Sequence, residues 1–133
     1  RFLSDSIEMF HKDFECYPVW LCPHKVFRTT PQGALKPSLP DVETEMFVDV
    51  GVWQVPGFVK RKEPWNGITA VKRMEAWLRA HGGYQCLYAV TEQTRKQFWE
   101  MFDGTLYHQI RKVYGAEGAF MDVYDKVKRP EQS

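Results

Sequence analysis

The sequence predicts an α+β domain, in which an antiparallel sheet carries helices on one face and further helices follow at the C-terminal end. Segments with apolar residues at helical spacing alternate with runs rich in aromatic and β-branched residues. The resulting order is helix, strand, strand, helix, strand, helix, helix. This order is similar to a ferredoxin-like β-α-β-β-α-β unit that lacks its first strand, and helices beside an antiparallel sheet form two layers.

The first half of the chain predicts one helix, two strands and a long loop. Apolar residues at helical spacing predict a helix over residues 4–13. Residues 14–22 are apolar on both faces and predict a strand, where Pro18 indicates an edge position or a bulge. Four prolines predict a loop over 23–41, and alternating apolar residues predict a strand over 45–53.

The second half predicts three helices and one strand. After a solvated connection over 54–67, apolar spacing predicts a helix that ends at Gly82-Gly83, followed by a third strand over 84–90. Thr91 is the expected N-cap of the next helix, and a last helix is expected to end at Gly115. A short turn or helix over 120–124 and a frayed end from residue 130 complete the chain.

Composition excludes several classes of protein. The chain has 133 residues, with 18 Lys and Arg against 17 Asp and Glu, so its net charge is +1. This balance predicts no nucleic-acid partner and no attraction to an anionic membrane surface. The basic triplet 60–62 reads most simply as a solvated loop, with a phosphate contact as the alternative. The chain begins at Arg1 rather than Met, so we expect it to be part of a longer protein.

The three cysteines predict neither a disulfide framework nor a metal site. Cys16 and Cys22 with His24 match no common zinc spacing, and no fourth ligand is evident. The sequence also has no phosphate-binding glycine loop and no signature of a catalytic triad. His24, His81 and His108 are expected to be surface or capping residues.

Asp49 is the most informative polar residue, because it lies in the middle of a predicted strand between two valines. One interpretation is a solvated or salt-bridged sheet face. The other is that Phe47, Asp49 and Trp53 form a sheet face that looks onto a ligand or a second domain. Tyr17 and Tyr88 are candidates to join that face, although core packing is the commoner fate of such tyrosines.

Three segments resemble one known family, the delta-24 sterol reductases. Residues 14–23 read FECYPVWLCP, where the family has YP(I/L)WLCP. Residues 45–51 read EMFVDVG, which resembles the family's ELYIDIG strand. Residues 98–108 read FWEMFDGTLYH, which is close to the family's FWEMFDGSLYH. The resemblance covers nearly the whole chain, with gaps in the proline-rich loop and at 54–67.

The resemblance implies the C-terminal part of an FAD-dependent enzyme of the vanillyl-alcohol-oxidase type. Residues 1–90 would be a partial, ferredoxin-like cap on the substrate side, and residues 91–133 a helical segment that returns toward a flavin domain outside this chain. The implied reaction is NADPH-dependent reduction of the C24–C25 double bond of a sterol side chain. FAD would be bound mainly by that other domain, and we expect the isolated fragment to be inactive.

The resemblance also implies candidate site residues. Asp49 and Tyr88 are catalytic candidates, and Phe47, Trp53 and Tyr17 are substrate-binding candidates. Cofactor-binding candidates lie in the C-terminal block and are Tyr107, His108, Arg111 and Tyr124. No metal ligand is implied.

The resemblance further implies partners and a location. The partners would be a sterol and the flavin domain of the same polypeptide. The parent protein would act at the cytosolic face of the endoplasmic reticulum membrane, with any membrane contact made by segments outside this soluble fragment.

Two alternatives stay open at this point. One is the cap of a related FAD-dependent oxidase or dehydrogenase that acts on another lipid or alcohol. Such oxidases often carry a His-Trp-x-Lys-like element at about the place of residues 85–88, which read QCLY here. This departure favours reduction over oxidase chemistry. The other alternative is a non-enzymatic α+β binding domain.

Overall fold

The structure, a computed structural model, describes residues 2–130 and confirms the α+β class. The described chain forms one antiparallel pair of strands and six helices. In chain order these elements are α1 (Leu3–Phe14), β1 (Trp20–Phe27), β2 (Thr44–Gly51), α2 (Gly57–Lys60), α3 (Gly67–Ala80), α4 (Arg95–Glu100), α5 (Thr105–Val113) and α6 (Val123–Val127).

The register of β1 and β2 sorts their side chains onto two faces. Trp20 lies opposite Gly51 at one end of the pair and Phe27 opposite Thr44 at the other. Because side chains directly opposite each other share a face, the pairing defines two sets. The Asp49 face consists of Trp20, Cys22, His24, Val26, Glu45, Phe47, Asp49 and Gly51. The Met46 face consists of Leu21, Pro23, Lys25, Phe27, Thr44, Met46, Val48 and Val50.

The predicted strand over 14–22 is wrong in position, whereas the strand over 45–53 is confirmed as β2. Helix α1 continues to Phe14, and Glu15 ends it in a left-handed conformation with φ of 46°. The strand then starts only at Trp20 and runs through Pro23 into the predicted loop. Proline is tolerated there because each strand of a two-stranded sheet has one side without a ladder.

The predicted third strand over 84–90 is also wrong, because this segment forms no ladder. It is irregular, and its backbone turns where Ala89 N donates to Cys86 O at 3.2 Å. Its aromatic residues pack through their side chains instead, as described below. A ferredoxin-like unit without its first strand would have three strands, and the described residues form two of them.

The predicted helices are confirmed, with one correction at a cap. Thr91 is not the N-cap of α4, because that position belongs to Thr94, which forms a capping box with Gln97. Gly115 follows α5 with a positive φ of 63°, as expected of a helix end. The predicted frayed end lies outside the described residues from 131 onward.

The main core lies between α1, α3 and the end of β2. Its buried members are Phe10, Phe14, Cys16 and Ala70, and Val50 and Val52 pack against them. Burial of each large apolar side chain stabilises the fold by about 1.5–3 kcal/mol. Polar contacts hold α1 against α3 and the segment before it. Trp65, which precedes α3, donates its indole N–H to Asp13 O at 2.7 Å, and Arg73 on α3 pairs with the Asp13 carboxylate at 2.5 Å.

Glu75 joins the first part of the chain to the C-terminal segment. It is 1% exposed, and its Oε1 accepts hydrogen bonds from Thr91 Oγ1 and Glu92 N, both at 2.9 Å. Its Oε2 has no hydrogen-bond partner in the part of the chain that the structure describes. Burial raises the pKa of Glu75, more than its hydrogen bonds lower it.

Further contacts cross the predicted boundary between residues 90 and 91. The ring of Tyr84 packs against Phe102 at 6.0 Å between centroids, and Asp103 N donates to Ala34 O at 2.9 Å. The division into segments 1–90 and 91–133 stays a prediction about the parent protein.

Replacement of Glu75 by Gln tests the buried carboxyl. The folded pKa lies above the unfolded value of about 4.5, so the folded state binds more protons and stability falls as pH rises from 4.5 through the raised pKa. Glu75→Gln keeps the Oε1 acceptor and removes the titration. We expect the free energy of unfolding, measured by denaturant at a series of pH values, to decrease less over this window than in the wild type.

Glu8→Gln is the matched control for this prediction. Glu8 lies exposed on α1, and its replacement changes the net charge by the same amount. The role given to Glu75 would be contradicted if Glu75→Gln kept the pH slope of the wild type.

Candidate functional site

Residues 84–88 cover the Asp49 face of the sheet. Gly82, at a φ of 67°, and Gly83 turn the chain after α3, and a Cβ on Gly83 would lie 2.8 Å from Leu78 Cδ2. This tight turn leads into Tyr84, whose ring lies 5.7 Å from Phe47 and 5.9 Å from His24 between centroids. The Tyr84 hydroxyl also lies 2.5 Å from His24 Nε2, so the segment is fixed to both strands.

Asp49 shapes the proton chemistry of this cluster. The negative charge of Asp49 is the largest cause that raises the pKa of Tyr88. The pKa values of Tyr84 and Cys86 are also raised, mainly by burial, and the charge of Asp49 raises both further. Phenols and thiols are protonated at neutral pH at their ordinary pKa values, and these upward shifts hold the protons more firmly, so the three groups are present as proton-bearing donors.

A stacked pair of exposed aromatic rings extends this cluster toward solvent. The rings of Trp53 and Tyr88 stack at 6.3 Å with an interplanar angle of 14°, and they are 72% and 70% exposed. Trp53 also belongs to an open groove of about 270 Å³, lined by Pro18, Val19, Trp20, Leu21, Trp53 and Gln54. The lining is largely apolar, which suits an apolar ligand beside a few polar groups.

The structure brings four of the sequence candidates together at this face. Phe47 and Asp49 lie on β2, and Trp53 and Tyr88 stack beside them. Tyr17 is placed differently, because it is 54% exposed and its hydroxyl forms a hydrogen bond with His11 Nδ1. It precedes Pro18 of the groove in the sequence and is not among the lining residues.

Sequence reasoning missed three members of this cluster, which are His24, Tyr84 and Cys86. The spacing of residues 84, 86 and 88 carried only a partial signal, since alternate residues share a side in an extended segment whereas the backbone here turns between Cys86 and Ala89. His24 carried no such signal, because its position depends on where β1 begins and on its pairing opposite Phe47.

Most of the candidates in the C-terminal block use their polar atoms in hydrogen bonds to the backbone of this chain. Tyr107 accepts from Val123 N at 3.0 Å, and Tyr124 donates to Gln93 O at 3.0 Å. Arg111 holds the loop after α5 through three backbone carbonyls, those of Ala116, Phe120 and Met121.

His108, the fourth of these candidates, is exposed. Its ring lies against those of Trp99 and Tyr107, at 4.7 and 5.2 Å between centroids. It is therefore the member of the C-terminal block whose polar edge is most accessible to a partner.

The described residues 2–130 do not form a metal centre. No group of three or more His, Cys, Asp or Glu side chains there is arranged to hold a metal ion. Cys16 is buried and donates to Gln54 O at 3.3 Å, whereas Cys22 is exposed on the Asp49 face. Over the same residues, no helix has the length and apolar character needed to cross a bilayer.

Comparison with known proteins finds a single set of relatives. The chain is 44% identical to the Delta(24)-sterol reductase of Arabidopsis thaliana, 40% to that of Pisum sativum and 35% to that of Homo sapiens. These alignments cover 96%, 96% and 94% of this chain but only 24%, 24% and 23% of the relatives. The chain thus spans about a quarter of the length of the curated relatives it matches. No protein-family model and no solved structure matches it.

The electrostatic role of Asp49 is testable by titration of Tyr88. Asp49→Asn removes the negative charge, so we expect the pKa of Tyr88 to fall toward its ordinary value. The measurement is the absorbance of tyrosinate as pH is raised, with Tyr88→Phe to assign the transition. An unchanged Tyr88 transition in Asp49→Asn would show that the two groups do not interact.

Proposed function

The chain belongs to the delta-24 sterol reductase family, and on this premise we propose that it is the C-terminal, substrate-side cap region of an FAD-dependent enzyme that uses NADPH. The parent enzyme would reduce the C24–C25 double bond of a sterol side chain at the cytosolic face of the endoplasmic reticulum membrane. One observation carries the proposal: identity of 35–44% with delta-24 sterol reductases extends over nearly all of this chain.

Reduction of an isolated double bond needs a hydride, a proton and a site that accepts apolar carbon. FAD, reduced by NADPH, supplies the hydride when it is bound. The apolar groove and the exposed rings of Trp53 and Tyr88 offer a surface for the sterol side chain. The Asp49 face next to them offers protonated hydroxyl groups, and these groups could supply the proton that the reduction needs.

In this proposal Tyr88 is the proton donor. As the hydride reaches one alkene carbon, the Tyr88 hydroxyl gives its proton to the other, and the two new C–H bonds saturate the side chain. The phenol is protonated at neutral pH, and the charge of Asp49 beside it further disfavours the phenolate by raising the pKa of Tyr88. Since Tyr88 is 70% exposed, solvent can return the proton afterwards. Phe47 packs against the Tyr84 ring on the same face, and Tyr17 would approach the substrate from the side of the groove.

The C-terminal block would meet the flavin domain. His108 is the exposed polar candidate there, while Tyr107, Arg111 and Tyr124 shape the surface through their internal hydrogen bonds. Helix α5 and the residues after it also expose large apolar side chains, which are typical of a surface that packs against another part of a protein. They are Ile110, Val113, Tyr114, Phe120 and Met121.

Two single substitutions in the full-length parent protein test the proton donor. Tyr88→Phe removes the hydroxyl that carries the proton, and Asp49→Asn removes the negative charge that raises the pKa of Tyr88. Loss of a general acid lowers turnover by roughly a hundredfold or more, so we expect this loss for Tyr88→Phe. Asp49→Asn leaves the phenol protonated at neutral pH, so its effect on turnover should be much smaller. The assay is NADPH-dependent reduction of a sterol with a C24–C25 double bond, at unchanged flavin absorbance.

Ser4→Ala is the control, because it removes a side-chain hydroxyl from an exposed residue of α1 that belongs to neither proposed surface. It should keep the turnover of the unmodified enzyme. Full turnover in Tyr88→Phe would exclude Tyr88 as the donor. A parent protein that binds no flavin would contradict the family function itself and favour a binding domain.

A further inference from the structure

We propose that Cys22 and Cys86 form a dithiol site, which a small disulfide such as oxidised glutathione converts to an internal disulfide bond. Cys22 lies on β1, and Cys86 lies in the segment that covers the Asp49 face. The proposed reduction of a sterol uses neither thiol. The inference is independent of that function, because it rests on the placement and exposure of these two side chains.

One end of the covering segment is fixed at an opposed pair of strand residues. The Tyr84 ring lies 5.9 Å from that of His24 and 5.7 Å from that of Phe47 between centroids. His24 and Phe47 lie opposite each other in the register of β1 and β2. The segment therefore begins at this pair, two residues before Cys86.

The other end of the covering segment is fixed at a second opposed pair. Tyr88 stacks on Trp53 at 6.3 Å between centroids. The indole Nε1 of Trp53 lies 3.5 Å from the place that a Cβ on Gly51 would take, and Gly51 lies opposite Trp20. Tyr88, two residues after Cys86, is therefore placed at this end of the sheet.

Cys86 lies between these two anchors, at the pair that Cys22 forms with Asp49. In the register of the strands this pair separates the other two. Burial is the main cause that raises the pKa of the Cys86 thiol, and the negative charge of Asp49 and the nearby Cys22 raise it further. Because the interaction of charged groups weakens with distance, both are neighbours of Cys86. The two thiols thus share one site beside the Asp49 carboxylate.

The cysteines differ in their access to solvent. Cys22 is exposed and Cys86 is partly buried, whereas Cys16 is buried and donates to Gln54 O at 3.3 Å. All three are free thiols in the structure. A bond that forms only on oxidation agrees with the sequence, which predicted no disulfide framework. Cys22 is therefore the thiol that a dissolved reagent reaches first.

The oxidation proceeds by two steps of thiol–disulfide exchange. The Cys22 thiolate attacks one sulfur of the small disulfide, whose S–S bond breaks and releases half of the reagent as a thiolate. The Cys86 thiolate then attacks the Cys22 sulfur, and the second half of the reagent leaves. The two cysteines lose two electrons and two protons, and the reagent takes up both to become two free thiols.

The new bond would join β1 to a segment that has no backbone ladder. A disulfide holds its two Cα atoms within about 7 Å of each other, and residues 84–90 can make this approach without breaking strand hydrogen bonds. Within residues 2–130 the two thiols belong to no group of three or more side chains that could hold a metal ion, so we assign oxidation to them rather than metal binding. Because Tyr88 follows Cys86 by two residues, its position would no longer depend on ring packing alone.

Peptide mapping of the FAD-loaded parent protein tests the proposal. The protein is incubated with oxidised glutathione, its free thiols are alkylated after unfolding, and it is digested without a reductant. We expect mass spectrometry to find the peptides of Cys22 and Cys86 joined, and dithiothreitol to separate them. Cys22→Ser and Cys86→Ser should each lose the joined peptides completely. Buried Cys16 is the internal control and should be alkylated in every sample.

Asp49→Asn tests the position of the pair beside the carboxylate. Loss of the negative charge lowers the pKa of Cys86 and raises its thiolate fraction, so the joined peptides should form faster than in the wild type. Asp5→Asn is the matched control, because it removes the same charge from an exposed position on α1. This control should keep the wild-type rate, and circular dichroism with flavin absorbance checks that every variant is folded.

Several products of the same reaction would overturn the proposal. They are a lasting glutathione adduct on Cys22 with Cys86 alkylated, a bond from Cys22 to any other cysteine or to a second copy of the protein, and alkylation of both thiols. Formation of the joined peptides at the same rate in Asp49→Asn and in the wild type would contradict the shared site.

Discussion

The position of Tyr84 is the constraint on which the rest of the site depends. Its ring packs against Phe47 and His24 of the sheet on one side and against Phe102 on the other, at 5.7 to 6.0 Å between centroids. The sheet thereby gains a cover without gaining a strand. Because Tyr84 is held at both sides, the residues that follow it, Cys86 and Tyr88, stay beside Asp49.

The contacts behind Tyr84 explain why the covering segment can be irregular. Phe102 packs on Phe98, which is 1% exposed and also contacts Tyr124 at 5.5 Å between centroids. Glu75 binds the chain again at Thr91, just after the segment ends. Residues 84–90 are therefore anchored at their two ends by side chains, and their own backbone needs no ladder. An anchored but irregular segment can present Tyr88 to solvent in a way that a paired strand could not.

The sequence predicted those parts of the fold whose signals are local. Helices α1, α3 and α5 follow from apolar spacing, glycines mark the ends of α3 and α5, and β2 follows from strict alternation around Asp49. The placement of β1 and the absence of a third strand depend on partners distant in the chain. Pro23 lies in a strand because that strand has one unpaired side. In residues 84–90 the strand-forming tyrosines pack through their rings instead, Tyr84 on Phe47 and His24 and Tyr88 on Trp53.

For the candidate site, too, the sequence predicted what depends on local signals and missed what depends on contacts between distant residues. Asp49, Phe47, Trp53 and Tyr88 were predicted from one mixed strand face and a family resemblance, and the structure places them together. His24 and Tyr84 were missed, because their contact joins residues sixty apart in the chain. In the C-terminal block, motif similarity identified Tyr107, Arg111 and Tyr124 without revealing that their polar atoms already bind neighbouring backbone.

The central claim is that the Asp49 face, with Trp53 and Tyr88 at its edge, is where the sterol side chain lies. Photocrosslinking tests this directly, with a sterol that carries a diazirine in its side chain and the FAD-loaded parent protein. Mass spectrometry of the digested product should find the label on peptides that contain Trp53 or Tyr88. Label confined to the Met46 face, to α5 or to the part of the parent outside this chain would contradict the account.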